Sequence, residues 1–267
     1  MVPLPQTPAR PDRQRFVAFR TIVALVLREM STTYGRSPGG YIWAILEPAG
    51  ALALMVAIFS LGFRHPPLGT NFAYFYAGGL LPLMMFQDLS GKLGASIQFS
   101  KALLEYPRVS FADALVARFV VSAMTMIMVH TVVLSIIIHF SETNSMVDPV
   151  KLLLAYSMVV VLGVGIGVFN AFMFVVAPLW RTVWSIITRP LLIVSGIFYL
   201  VDSLPKFYRD ILWYNPMIHI TGSMRDAYFP YYHPQYVTPL YVYVFGAVPG
   251  VIGLMLLKRF HREILDR

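Results

Sequence analysis

The chain has 267 residues, 57% hydrophobic and 13% charged, with a formal net charge of +8 and a mean hydropathy of +0.66. A water-soluble domain is about half apolar and about a quarter charged, so the surplus apolar surface here calls for a bilayer. The basic residues fall between apolar runs rather than in one patch, which fits membrane orientation and not nucleic-acid binding, and the absence of cysteine excludes disulfides, a thiol nucleophile and Cys-ligated metal sites.

Residues 1–12 begin with the proline-rich MVPLPQTPARP and read as a disordered N-terminus, with no small-residue cleavage site of a signal peptide. Residues 13–38 read as a cytoplasmic interfacial helix: Phe16, Phe19, Val23, Val26, Met30 and Tyr34 recur near one face, and Arg13, Arg20 and Arg28 decorate the rest. An amphipathic helix packed on another domain has the same pattern. Residues 39–267 then carry six apolar runs, near 41–63, 72–93, 112–140, 152–177, 183–201 and 239–257. A helix crosses a bilayer in roughly 20 residues, so the expected fold is an all-α integral membrane protein with six transmembrane helices. Lysine and arginine sort strongly: 16 of 21 lie in the N-terminal segment, around the connections after the second and fourth runs, and in the C-terminal tail. Both termini are therefore expected in the cytoplasm.

No G-x-x-x-x-G-K-[ST] phosphate loop occurs, so ATP-driven work by this chain needs a second protein. Nor do H-E-x-x-H, G-x-S-x-G or a D-x-x-D pair for metal–diphosphate chemistry occur, and no metal site is expected. GVGIG at 163–167 lacks dinucleotide spacing and lies inside an apolar run, where Gly163 and Gly167 let helices approach closely.

The connection over 94–111, GASIQFSKALLEYPRVSF, holds a short amphipathic pattern closed by Pro107. Leu103, Leu104 and Tyr106 offer apolar side chains, and Lys101, Glu105 and Arg108 offer charges. This suits docking into a partner's groove, or equally a plain interfacial connector. The connection from about 202 to 238 is rich in aromatics, among them Trp213, Tyr214, Tyr228 and Phe229. Helical stretches over 206–213 and 217–228, split by Asn215 and Pro216, are too short to span and read as re-entrant helices between spans five and six. Most of these aromatics read as an interfacial belt, with a minority free to face a path. The apolar runs also hold charges. Glu47, followed by Pro48, lies about 9 Å into the first run; Asp88, Arg118 and Arg189 lie in the second, third and fifth. A lipid-facing charge at mid-membrane costs about 2.5–3.5 kcal/mol, so these should face protein or water. Either they pair locally, Asp88 with Lys92 and Glu47 with an arginine, or they form a polar entrance with Tyr34, Arg36 and Trp43.

Taken together, YGRSPGGYIWAILEP (34–48), RPLLIVSGIFYLVDSLP (189–205) and YNPMIHITGSMRDAYF (214–229) resemble the permease subunit of ATP-driven capsular-polysaccharide exporters, the type-2 ABC-exporter permeases. Asn215, Pro216, His219 and Arg225 stand at matching positions. The resemblance implies a non-enzymatic half-transporter in the bacterial inner membrane. It implies a second copy of the chain and two separate ATPase subunits, which would hold ATP and Mg while this chain holds no cofactor. The 101–108 segment would dock on the ATPase, and Gly39 and Gly40 would hinge the interfacial helix on the first span. Lipid-linked polysaccharide, membrane lipids, and periplasmic co-polymerase-type and outer-membrane export proteins complete the expected partners. Permeases for O-antigen, teichoic acid, or small lipids and drugs share the architecture. A membrane-embedded glycolipid transferase would instead need Glu47 and Asp88 in one cavity.

Overall fold

An apolar run in a bilayer satisfies its own backbone polar groups only as a helix, and helices carry this chain. The computed structural model describes residues 11–34, 39–104, 106, 109–140, 147–260 and 263, with no strand among them. In order the helices are α1 (Pro11–Tyr34), α2 (Gly40–Gly62), α3 (Phe72–Gly94), α4 (Ser96–Phe99), α5 (Lys101–Leu104), α6 (Phe111–Phe140), α7 (Pro149–Val176), α8 (Leu179–Thr188), α9 (Leu191–Val194), α10 (Lys206–Leu212), α11 (Pro216–Tyr228) and α12 (Pro239–Arg259). Four of them, α2, α6, α7 and α12, are long and apolar enough to cross a membrane. Residues 1–10 of the expected disordered stretch lie outside the described residues, as does Arg36; α1 starts at Pro11, two residues earlier than expected.

Several ends follow from local chemistry. Asn71, Asp148 and Asn215 each accept a backbone N–H from the first turn of α3, α7 and α11. Pro149 and Pro216 sit at the first helical position, where a missing N–H costs nothing. Gly39, in the expected hinge, caps α2 in the left-handed conformation.

The fifth apolar run corrects the expectation, because 183–201 is not one helix. α8 stops at Thr188, since Pro190 has no N–H to give the carbonyl of Ile186 and its ring crowds that turn. α9 adds a single turn, and Gly196 then takes φ +72°, a conformation costly for any residue with a Cβ. Residues 195–200 run irregularly into a short 3-10 turn at Val201–Ser203.

The core is centred on α3, which is buried along most of its length. It packs against α7 and α6, with α2 on its outer flank and α11 across its first turns. α12 packs on α7, and the contact is made backbone to backbone: a Cβ on Gly165 would overlap the carbonyl of Gly246. The GVGIG run is thus a packing seam. α1 lies against α6 at one end of the bundle, the α1 end, and α11 closes the other. The expected apolar face of α1 is divided. Phe19 and Val23 are exposed with Leu27, while Val26 and Met30 turn inward beside the buried Glu29.

Candidate functional site

α3 is buried except along one stripe. Met84, Gln87, Asp88, Gly91 and Lys92 recur at i, i+3, i+4, i+7 and i+8, so they share a helix face. This stripe floors a groove with two halves. On one side α2 supplies the wall, and Trp43, Ala44, Glu47 and Pro48 enclose about 470 Å³ with Gln87, Asp88 and Lys92. On the other side α8 supplies it, and Arg181, Trp184, Ser185, Thr188 and Arg189 enclose about 440 Å³ with Gln87 and Gly91. Gln87, exposed to solvent, lines both halves. Each wall presents one tryptophan.

The expected entrance residues Trp43, Glu47 and Asp88 therefore meet in one cavity. Asp88 bonds Lys92 at 2.6 Å, the i,i+4 pairing that its spacing suggests, and Ser122 of α6 donates to it. Glu47 has no ion-pair partner among the described residues, and it is exposed. Pro48 cannot donate to the carbonyl of Ala44, which lines the same cavity, so α2 offers an extra acceptor there. The side chain of Tyr34 and all of Arg36 lie outside what is described.

Beneath the groove, at the α1 end, a charged node joins four elements. Glu29 of α1 is 7% exposed and pairs with Arg118 of α6. Arg118 also donates through Nε to the carbonyl of Lys92 (3.3 Å) and stacks over Phe99 of α4 at 4.3 Å. In the connection beyond, Leu104 is buried, Lys101 and Leu103 are half-buried and Tyr106 is exposed; Glu105 and Arg108 lie outside the described residues.

The α11 end is built differently. Arg225 is 1% exposed and forks onto two carbonyls of the irregular stretch, Ile197 at 2.8 Å and Tyr199 at 3.0 Å, with its guanidinium 3.9 Å over Phe75. Asn215 donates to the carbonyl of Val194 (3.0 Å) while capping α11. His219 accepts at Nδ1 from the Thr238 N–H, so its Nε2 carries the proton and donates to the Trp213 carbonyl at 2.8 Å. The Tyr74 hydroxyl donates to the Tyr228 carbonyl, and Phe229 meets Tyr74 edge-on. Burial pushes the Tyr236 hydroxyl up to about 12 and the Tyr232 hydroxyl higher still, so neither supplies an anion; Tyr232 instead donates to Asp202. Of the residues expected in this region, His219, Arg225, Tyr228 and Phe229 are thus buried, Trp213, Asn215 and Pro216 half-buried, and Tyr214 exposed. Arg225 and Asn215 tie α11 to the broken fifth run, His219 ties it to the segments on either side, and Tyr228 ties it to α3.

Sequence reading did not single out Glu29, Gln87, Arg181 or Trp184. The signals were present. Glu29 is one of two carboxylates, with Asp12, among the arginines of the first helix, and Arg181, Ser185 and Arg189 repeat at every fourth position.

Long apolar helices around a groove that holds charged side chains define a multi-pass membrane protein. A family model of the ABC-2 type transporter matches residues 20–229, and the chain belongs to that family. It is 29% identical over 245 residues, 92% of this chain and 95% of the relative, to the polysialic acid transport protein KpsM of Escherichia coli. It is 27% identical over 246 residues to the capsule polysaccharide export inner-membrane protein CtrC of Neisseria meningitidis serogroup A, and 24% over 246 to BexB of Haemophilus influenzae, described in the same words; each alignment covers 92% of both chains.

Proposed function

We propose that this chain is the permease subunit of an ATP-driven exporter that moves lipid-linked capsular polysaccharide across a bacterial inner membrane. One observation carries the reading: the groove across α3 presents charged side chains at depths where lipid would reject them, with a tryptophan on each wall. Arg189 is exposed about 15 Å along the helix from Leu179, and Glu47 is exposed on α2 about 10 Å from Gly40. Exposed charges at such depth face protein or water. A trough that sets charged groups among apolar and aromatic surface suits a hydrated sugar chain. The names of the relatives support the same cargo.

In this reading α2, α3, α6, α7, the broken α8–α9 pair and α12 are six crossings, with both termini cytoplasmic and α1 in the headgroup layer. The α10–α11 pair dips into the outer leaflet without spanning. Two copies face each other and close their open grooves into one path. Two ATPase subunits dock beneath, on the α4–α5 connection through Lys101, Leu103, Tyr106 and the neighbouring Glu105 and Arg108. Periplasmic and outer-membrane proteins receive the polymer. The chain itself hydrolyses no ATP.

The test is a cellular one. Trp43→Ala and, separately, Glu105→Ala with Tyr106→Ala are expected to leave polymer inside the cell and clear it from the surface. Only the second variant should also lose the co-purifying ATPase. Normal surface polymer in the Trp43→Ala strain would remove the groove from the path. Turnover of a lipid–sugar substrate by the isolated chain would favour a transferase.

A further inference from the structure

At the α11 end, three elements meet on one imidazole. His219 lies in the first turn of α11 and is fully buried. Its Nε2 donates to the carbonyl of Trp213, just past α10, at 2.8 Å. Its Nδ1 accepts the N–H of Thr238, the N-cap of α12, at 3.1 Å. The Thr238 side chain makes no capping bond, so the imidazole holds the cap through its backbone. Tyr241 and Tyr236 pack on the ring at 5.3 and 6.2 Å. Earlier in the 229–238 connection the ties are ionic: His233 donates to Asp226 at 2.9 Å, and Lys151 of α7 holds the same oxygen at 2.8 Å. The other charged group of α11, Arg225, is engaged with the carbonyls of Ile197 and Tyr199. α10 brings Lys206, Arg209 and Asp210, yet His219 makes no ion pair among the described residues. α3 and α7 add the phenols of Tyr74, Tyr76 and Tyr156 around α11, and a phenol carries no charge in acid.

We propose that His219 is an acid-sensitive latch on the outer end of the molecule: neutral, it pins the start of α12 to α11; protonated, it lets go of Thr238. The reason is donor arithmetic. A protonated Nδ1 is a donor and can no longer accept an N–H. Burial holds the imidazole below the ordinary histidine range, against the opposing pull of the Trp213 and Tyr236 carbonyls. The native chain therefore binds fewer protons at this site than the unfolded chain. The stability it contributes is complete above about pH 6.5 and is lost as the pH falls below that. The Tyr236 carbonyl, which already favours the charged ring, is the acceptor at hand once Thr238 is released. The His233–Asp226 pair answers acid in the opposite sense, since a proton on His233 adds charge to a bond that the ring already donates. The 229–238 connection thus loosens beside α12 while its earlier part stays fixed. Tyr241 donates to the carbonyl of Tyr214 and keeps the body of α12 in place, so the change is local. In the proposed topology this end faces out of the cell, and the latch makes it responsive to acid there, whatever the groove carries.

The experiment uses the full-length chain in neutral-lipid nanodiscs and reads amide hydrogen exchange across 237–242, corrected for its intrinsic pH dependence. Between about pH 7.5 and about pH 4.5, the wild type should lose roughly tenfold or more of its protection there. Nitrogen NMR of the imidazole should show His219 gaining its proton over the same range. His219→Gln should stay protected at both ends of the range, because an amide can accept from Thr238 and donate to Trp213 without titrating. His233→Gln should leave the acid response in place. Unchanged exchange in the wild type, or a response that persists in His219→Gln, would overturn the latch, as would a response that disappears in His233→Gln. Should His219→Gln be unprotected at both ends, the NMR decides: exchange that rises while His219 stays neutral overturns the proposal, and exchange that follows its proton supports it.

Discussion

Arg225 shows how a single side chain can stand in for regular structure. Where the fifth run unwinds, the carbonyls of Ile197 and Tyr199 have no helical N–H to meet. A buried carbonyl left without a donor costs about 1–3 kcal/mol, and the guanidinium meets both at once. Its own charge is stabilised by those dipoles and by the face of Phe75, and Gly78 leaves room for its stem. Arg225→Gln is therefore expected to destabilise the protein by about 2–4 kcal/mol, read as a lowered unfolding midpoint in detergent. Arg225→Lys should fare little better, because an ammonium is a point donor that cannot reproduce the fork. Wild-type stability in the lysine variant would show that charge alone suffices there.

At the scale of elements, the helix ends were legible because their chemistry is local. The Asn215–Pro216 pair announces the start of α11, whereas α7 begins at Pro149, ahead of the expected run from 152. The break in the fifth run had the same kind of signal in Pro190, yet the hydropathy of 183–201 outweighed it, since a window of apolar residues does not register where a backbone unwinds. Partnership across elements is open in the sequence, which allows local pairing or a shared entrance alike. Glu47 and Asp88 are 41 positions apart, and only the packing of α2 on α3 puts them in one cavity. Glu29 is a similar case: its burial exists only because α1 lies on Arg118. That pair makes a prediction about α1 as a unit. Removing one partner of a buried ion pair costs about 3–5 kcal/mol, whereas replacing both with apolar residues is often neutral. Glu29→Ala should loosen α1 from α6 and speed protease cleavage within 11–34. Glu29→Met with Arg118→Met should restore much of the protection. Equal protection in all three proteins would mean that α1 is held by its apolar contacts alone.

For the whole molecule, the question is which of its exposed faces meet water. Composition alone cannot say, because α2 and α8 each expose apolar and polar side chains together. α2 shows Leu46, 49% exposed, on the side away from the groove wall at Ala44; α8 shows Leu179, Val183 and Ile186 opposite the wall at Ser185. If the groove is a wet path, only the second set of positions should be reachable by a charged reagent, whatever their depth. The chain contains no cysteine, so single substitutions can report without any background. Ala44→Cys and Ser185→Cys should react in intact membranes with a charged, membrane-impermeant thiol reagent, because a thiol reacts as its hydrated thiolate. Leu46→Cys, which faces hydrocarbon in this reading, should stay unreactive until the membrane is dissolved. Closure of two grooves against each other would add a further sign: labelling at Ser185→Cys with a bulky reagent should fall when a second copy is cross-linked in place, while a small reagent still enters. Reaction at Leu46→Cys as fast as at the wall positions would mean that the charges at Glu47 and Arg189 are not gathered around a path, and that the open side of α3 is covered in some other way.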